Sequence, residues 1–462
     1  MAAMRGKCTN FGNCQKADSG EFIDLPPGSD PVCPICGRPL NMIASAGGGR
    51  PSPIPLIIGV LVLFLLGYLV VHFIQGRGKK PQTASTSTMG TNTSNGGSNF
   101  GGTPAATSAP AVKPGDALMY YERSAESWLR PAADEFNAQH SGQPQIVLDY
   151  RGSREGKQDI LYGQGKPVIW NPADTYWADK LNLDWRNPKV GKHSEDVVDE
   201  SKTILSTRLV IVAWDDRAKV LSAAMNRAEY RGKTWLLMHD IATQGWSKIG
   251  GQASWGKLKL AQTDPTKSNS GQAAVVLMFA EYSKSHPGVT PSSPSFLSFM
   301  RGVEGSVPKF ETTTSKALDA LVKGSRDQYD AAIAYETNAL AAVDGGNTDI
   351  RILYPSPTVP IDLPAAIIKA DWVDNGEAQL AKQFVDFLLT RDIQKKAIAQ
   401  GFRPALPDMR ADVDNAFSSG ARGDAGFVLD PPTVTRPVST RVIDDILYQW
   451  YKIYGGGGAA PV

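Results

Sequence analysis

Beyond residue 36 the chain contains no cysteine, so its large remainder holds together without a disulfide of its own. Charge of one sign is also missing: 48 lysines and arginines against 46 aspartates and glutamates leave a formal net charge of +2. That balance excludes the basic footprint of a nucleic-acid binder and a polybasic membrane-coating surface. The catalytic signatures are absent too. There is no Gly-x-Ser-x-Gly elbow, no His-Glu-x-x-His and no phosphate loop ending in Gly-Lys-Ser/Thr, and the five histidines include no pair at ligand spacing. His193, His239 and His286 read as surface or loop residues. Residues 81–112 carry no charge and hardly any large apolar group, so they cannot bury enough surface to offset the entropy of ordering.

The four cysteines that are present all lie at the start, Cys8 with Cys14 and Cys33 with Cys36. Two residues separate the second pair and a glycine follows it, which suits a tight turn aiming two thiolates at one zinc ion. The first pair is spaced more widely. A four-cysteine Zn2+ site in a zinc-ribbon-like segment, residues 1–45, is the favoured expectation, and a redox or disulfide pair is the alternative. So small a core needs its metal to fold.

Residues 54–75 open with "IPLIIGVLVLFLLGYLVVHFI", a run without an acidic or basic side chain. About twenty such residues match the hydrocarbon thickness of a bilayer at helical rise. The segment is expected to be a single transmembrane helix, a buried core helix being the alternative. A cleaved signal peptide would lie nearer the start. Residues 76–115 then form a flexible tether, with a reach on the order of 30 Å by random-coil scaling. Arg77, Lys79 and Lys80 favour a cytoplasmic C-terminal flank, whereas thiols at the N-terminus favour a cytoplasmic start.

From residue 116 to 454 short apolar strands alternate with helices. "ALMYY" (117–121), "QIVLDY" (145–150), "PVIW" (167–170), "RLVIVAW" (208–214), "KLKLA" (257–261), "AAIAY" (331–335), "IRILY" (350–354) and "PAAII" (364–368) carry the pattern. Strands apolar on both faces imply an α/β fold with a mostly parallel sheet covered by helices on both sides. Pro172 suits a first helical position.

One stretch poses a question. "QTDPTKSNSGQ", 262–272, gathers Thr266, Ser268, Asn269 and Ser270 at one helix entrance, where a single residue suffices as a cap. In an open parallel sheet, ligands sit beyond the carboxyl ends of the strands, where unpaired helix amides favour anions. With Ser270 as the cap, the other groups are free to face a ligand. The theme recurs at other strand ends: Ser124, Gly152 with Ser153, Asn171, Thr312 to Ser315, and Tyr335 with Glu336. Convergence of several on one cleft is the expectation.

At these residues a family resemblance emerges. "ALMYYERSAESWLRPAADEFN", "AQTDPTKSNSG", "AIAYETN" and "AIAQGFRPA" make residues 116–454 similar to bacterial extracellular solute-binding proteins of the type II class, in the group that includes phosphate, molybdate and sulfate binders. The resemblance implies two lobes joined by a hinge of two crossing strands. Lobe 1 would comprise 116–212 and 353–454, and lobe 2 would comprise 213–352. It also implies an extracytoplasmic binding domain, hence a cytoplasmic N-terminus and a single-pass protein of the cell membrane. A zinc ribbon and a span ahead of such a domain depart from the family's usual arrangement.

The ligand-binding candidates are therefore Ser124, Gly152, Ser153, Arg154, Asn171, Asp264, Ser268, Asn269, Ser270, Tyr335 and Glu336. Arg151 or Arg154 would supply a guanidinium fork to an oxyanion. Asp264 and Glu336 would repel a fully ionised anion unless they serve as a turn acceptor and a first-turn helix charge. Trp170, Trp177 and Trp255 either wall an organic ligand or belong to the core. The function expected is capture of a small molecule or ion by hinge closure, without catalysis, for a permease or a membrane signalling partner. A ligand-free scaffold or adaptor and, more remotely, a hydrolase remain the alternatives.

Overall fold

The computed structural model describes residues 4–7, 16, 21–25, 32–36, 40–43, 110–356, 358–433 and 438–455. The apolar run at 54–75, Cys8, Cys14 and the tether up to residue 109 lie outside the described residues. Among the described residues no helix is long and apolar enough to cross a membrane. Near the N-terminus β1 (Met4–Lys7), β2 (Phe22–Leu25) and β3 (Asn41–Ile43) form a small sheet in the order β2-β1-β3.

The large unit begins with β4 (Ala117–Tyr121), α1 (Glu126–Gln139), β5 (Ile146–Tyr150), α2 (Ser153–Leu161), β6 (Ile169–Asn171) and α3 (Thr175–Arg186). Trp128, Leu129, Ala132, Ala133 and Phe136 recur at helical spacing and bury one face of α1. Asp174 caps α3 by accepting from the Tyr176 amide at 2.8 Å, so Pro172 lies ahead of the helix and does not start it. A 17-residue strand follows, β7 (Val198–Trp214). Next come α4 (Asp215–Met225), α5 (Thr234–Gln244), β8 (Leu260–Thr263), α6 (Asn269–Ser285), α7 (Pro294–Glu304), β9 (Phe310–Glu311), α8 (Thr314–Val322), β10 (Ala331–Tyr335), α9 (Glu336–Asp344) and β11 (Ile350–Leu353). The chain closes with β12 (Pro360–Ile368), α10 (Asn375–Leu388), α11 (Arg391–Ala399), β13 (Arg403–Pro404), α12 (Arg410–Phe417), α13 (Gly420–Asp424) and α14 (Thr440–Tyr454).

The strands run in the order β5-β4-β6-β12-β7-β10-β8-β9. The sheet is mixed, which corrects the mostly parallel one expected. β4 lies parallel to β5 and β6, and β8 lies parallel to β9 and β10, but β7 is antiparallel to β10, β11, β12 and β13. The cause is topological: β7 carries the chain out of one half and β12 re-enters that half on the return. The first part of β7 pairs with β12 up to Arg208, and its last part, from Leu209 onward, pairs with β10. One strand thus belongs to two half-sheets, each with its own helices, and the α/β architecture is two-lobed.

The C-terminal part divides differently from the expected lobes. Met409, Val413, Phe417 and Ala425 share a core with Val210, Val212, Ile350 and Ile352, on the second half. Helix α14 meets both halves. Asp444 accepts from the Tyr176 hydroxyl of α3 at 2.8 Å, and the Trp450 indole donates to Glu304 of α7 at 2.7 Å.

Candidate functional site

The strands that end on either side of the crossover deliver their following residues to a common space. Glu122, Arg123 and Ser124 come from the end of β4, and Gly152, Ser153 and Arg154 from the β5–α2 junction. From the second half come Lys267, Ser268 and Asn269 ahead of and at the start of α6, Thr312 to Ser315 at the start of α8, Tyr335 at the end of β10 and Asn338 on α9. They enclose about 70 Å³. Since one water needs roughly 10–15 Å³ by this measure, the space suits an ion of a few heavy atoms.

The polarity of the cavity favours an anion. Helices α2, α6 and α8 all begin at its wall, presenting first-turn amides. Three basic side chains, Arg123, Arg154 and Lys267, and one acidic one, Glu122, line it, with Arg123 also paired to Glu126 at 3.2 Å and Lys267 to Asp264 at 3.2 Å. Arg123 stacks 4.1 Å from the Tyr150 ring centroid, and the Arg154 guanidinium lies 5.4 Å from that of Trp177, so aromatic faces orient both cations. Burial pushes the Glu122 carboxyl up to about 7, against the opposing pull of the Arg123 charge and the Ser153 amide. Burial and then the Glu122 charge raise the Tyr335 phenol, which stays a neutral donor. The Ser124 hydroxyl, the Trp177 Nε1 and the Asn338 Oδ1 have no protein partner. Three uncompensated polar atoms on one small cavity are what a ligand would satisfy.

Seven of the eleven ligand-binding candidates line this cavity, Ser124, Gly152, Ser153, Arg154, Ser268, Asn269 and Tyr335, together with the Thr312 to Ser315 stretch noted in the sequence. Ser153 also accepts the Ala173 amide at 2.9 Å, which ties α2 to the chain after β6.

The other four candidates are engaged elsewhere. Asn171 is fully buried and donates to the Pro364 carbonyl at 2.8 Å, linking β6 to β12. Asp264 accepts from the Thr266 amide and hydroxyl at 2.8 and 2.6 Å, closing the turn before α6, and pairs with Lys267 at 3.2 Å. Ser270 shares a hydrogen bond with the Thr263 hydroxyl at 3.0 Å and accepts from Thr314 at 2.9 Å. Glu336 is fully buried against Arg403.

The N-cap position of α6 is Ser268, not Ser270. Gly271 fixes this rotation: its amide donates to Thr263 Oγ1 at 2.9 Å, and a Cβ there would come within 2.4 Å of the Thr263 carbonyl. The first turn of α6 is thereby pressed onto the end of β8, with Ser270 inward and Ser268 and Asn269 on the cavity side. Arg151 is likewise held by Asp149 and Asp159, at 3.1 and 3.0 Å, and is not a ligand fork. Trp170 is wholly buried and Trp255 packs on Trp246, whereas Trp177 does line the cavity. Glu122, Arg123, Lys267 and Asn338 were missed, although "MYYER" sets a charged pair directly after a strand.

Of the proposed metal ligands, Cys33 is buried and Cys36 half-buried, and the turn 34–36 joins them. Among the described residues no group of three or more histidine, cysteine or acidic side chains is placed to hold a metal ion.

A two-lobed α/β fold with a small polar cavity where its halves meet defines a binding protein of the hinged type. The chain belongs to the family described as bacterial extracellular solute-binding protein, which matches residues 118–403. A sulfate-binding protein of Synechococcus elongatus is 29% identical over 114 residues, which make up 24% of this chain. That match spans 31% of the relative's length, about a third. Among solved structures, iron-bound HitA from Pseudomonas aeruginosa is 15% identical with a TM-score of 0.49, over 73% of this chain and 99% of that one. The sulfate-binding protein SubI from Mycobacterium tuberculosis is 18% identical with a TM-score of 0.45, over 67% and 96%.

Proposed function

We propose that this chain is a membrane-tethered, extracytoplasmic solute-binding protein that captures a small oxyanion between its two halves. The observation that carries the reading is the convergence of three helix starts and three unpartnered polar atoms on a cavity of about 70 Å³. A sulfate-class ligand agrees with that size and with the chain's similarity to the sulfate-binding protein of Synechococcus elongatus. Glu122 adds selectivity: protonated, it donates to any oxyanion, and ionised, it accepts only from one that retains a proton. Binding needs no chemistry. The anion draws the halves together by its higher affinity for the closed arrangement.

In this reading the run at 54–75 anchors the protein as a single-pass span, with the N-terminus in the cytoplasm. Cys8, Cys14, Cys33 and Cys36 hold one structural Zn2+ there, and the zinc segment docks a partner. The bound solute is handed to a permease, or closure is sensed by a membrane partner. The test is calorimetric titration of the full chain with sulfate, phosphate and molybdate, alongside native mass spectrometry of protein from its host. Saturable binding of one anion per chain is expected. Failure of every anion to bind or to raise the melting temperature would favour the scaffold alternative.

A further inference from the structure

Helix α14 is fastened to the two halves by contacts of different chemistry. Toward its C-terminal end Ile446, Leu447 and Trp450 are buried. The Trp450 ring meets Phe310 edge-on at 5.0 Å, Tyr454 meets the same ring at 5.6 Å, and the Trp450 indole donates to Glu304. These partners lie on β9 and α7 of the second half, and β9 is the strand of that half-sheet farthest from the crossover. Three strand spacings put it roughly 14 Å from β7.

Toward the N-terminal end the attachment centres on Asp444. Its Oδ1 accepts from the Tyr176 hydroxyl at 2.8 Å and its Oδ2 pairs with Lys180 at 3.1 Å, both on α3 of the first half. Lys180 also pairs with Asp184 at 2.7 Å, and Asp184 with Lys157 of α2 at 2.6 Å, all three buried. The receiving side is thus fixed by its own half. Six residues of helix, about 9 Å of rise, separate Asp444 from Trp450, so one stiff rod carries both attachments. Beneath the Asp444 end lies a cavity of about 250 Å³, walled in part by Thr440 and Ile443 of α14, Tyr176 of α3 and Val276 of α6. The asymmetry decides which end lets go. Lifting the other end would bare an indole and its aromatic neighbours to water, whereas releasing Asp444 hydrates a carboxylate already 21% exposed and leaves Lys180 with Asp184. A separation of about 1 Å there is enough to break both contacts.

We propose that α14 is a strap carried by the second half, and that Asp444 latches it onto Tyr176 and Lys180 when the two halves meet. Because the contacts lie away from the crossover strands, the halves cannot swing apart on β7 and β12 until this latch is released. Asp444 is a positioning residue and touches no ligand. Tyr176, which it holds, precedes Trp177, and Trp177 lines the anion cavity under the Arg154 guanidinium. The consequence for the ligand rests on the anion reading above: latch contacts belong to the closed arrangement, so they slow departure of the ion and leave its arrival, which starts from the open one, unchanged.

The test uses the full chain with spin labels on unnatural amino acids at Gln164 and Lys323, exposed positions on the first and second halves, so that the native cysteines stay untouched. Pulsed electron resonance reads the distance between halves without anion, and stopped flow reads sulfate association and dissociation. Asp444→Asn and Tyr176→Phe should each move the anion-free distances to longer values and speed sulfate dissociation at least fivefold, with association within twofold of the unaltered chain. Tyr176→Phe keeps every charge of the cluster and decides should Asp444→Asn fail to fold. Asp445→Asn, exposed on the same helix, should change neither readout. Unchanged distances in both latch variants, or an unchanged dissociation rate in a chain that binds sulfate, would overturn the proposal, whatever happens to the melting temperature. Longer distances in a chain that binds no sulfate would leave the strap standing and count against the anion reading.

Discussion

Glu336 and Arg403 form a two-pronged ion pair, Nε to Oε2 and Nη2 to Oε1 both at 2.7 Å, at the point where β13 leaves β7 and α9 begins. The Tyr354 hydroxyl donates to the same carboxylate, and Arg403 also donates to the Val428 and Leu429 carbonyls. A carboxylate at a strand end, which the sequence marks as a ligand contact, is therefore a clamp holding the C-terminal segment on the second half. Breaking one side of a buried pair typically costs about 3–5 kcal/mol, since the other charge is stranded. Glu336→Gln should lower the unfolding free energy from urea titration by that order, seen as a lower midpoint, while folded protein retains its anion affinity. Glu336→Leu with Arg403→Met should recover most of the loss.

Separate fates are expected for the two serines at the start of α6. Ser268 makes no capping bond through its side chain and faces the cavity, while Ser270 is buried between Thr263 and Thr314. Ser268→Ala with Asn269→Ala should weaken anion binding at least tenfold and shift the melting temperature little. Ser270→Ala should do the reverse, at about 1–2 kcal/mol. Paired calorimetry and thermal melts distinguish the two.

Glu122 gives binding a pH dependence of defined sign. Its carboxyl, pushed up to about 7 by burial, is neutral below that value and charged above it. Affinity for sulfate, which carries no proton to offer, should fall as pH rises from 6 to 8. Glu122→Gln should flatten the profile, which titrations across that range would show.

Stability has its own pH signature. Glu304, wholly buried under Trp450 and Gln262, and Glu281, whose carboxylate receives the Trp235 and Leu236 amides at the start of α5, are both raised to about 7 by burial. Between the ordinary carboxylate value and about 7, the folded chain holds protons that the unfolded chain has released. Stability therefore declines as pH rises through that window and levels off above it. Urea unfolding at pH 5 and pH 8 should show the decline, reduced in Glu304→Gln.

Metal analysis of the full chain should find one zinc per molecule, lost on Cys33→Ser. A metal-free preparation with an unchanged N-terminal segment would remove the four-thiolate proposal.

Periodicity carried the α/β class and strand-end chemistry carried much of the cavity wall into the sequence reading, while the two lobes came from the family resemblance. What stayed hidden depends on rotation and partnership. Ser268 and Ser270 are two residues apart, and the one facing outward is decided by Gly271 meeting Thr263, a contact between separate elements. Asp264 is readable in the sequence as a turn acceptor, the role in which it holds Thr266, whereas nothing local to Glu336 announces its partner Arg403. Helix α14 announces an apolar face through Ile446, Leu447 and Trp450, but its attachment to α3 and α7 has no local signature.

The continuity of β7 constrains how this region can change length. Side chains alternate between faces with a period of two, so one residue added between Ser206 and Leu209 would turn the inward face of a half-sheet outward and leave the other half untouched. Two added residues would preserve both faces. Length change at the crossover is thus governed by parity unless a bulge takes up the odd residue, as β7 already does against β12 at Ile204 and Asp199.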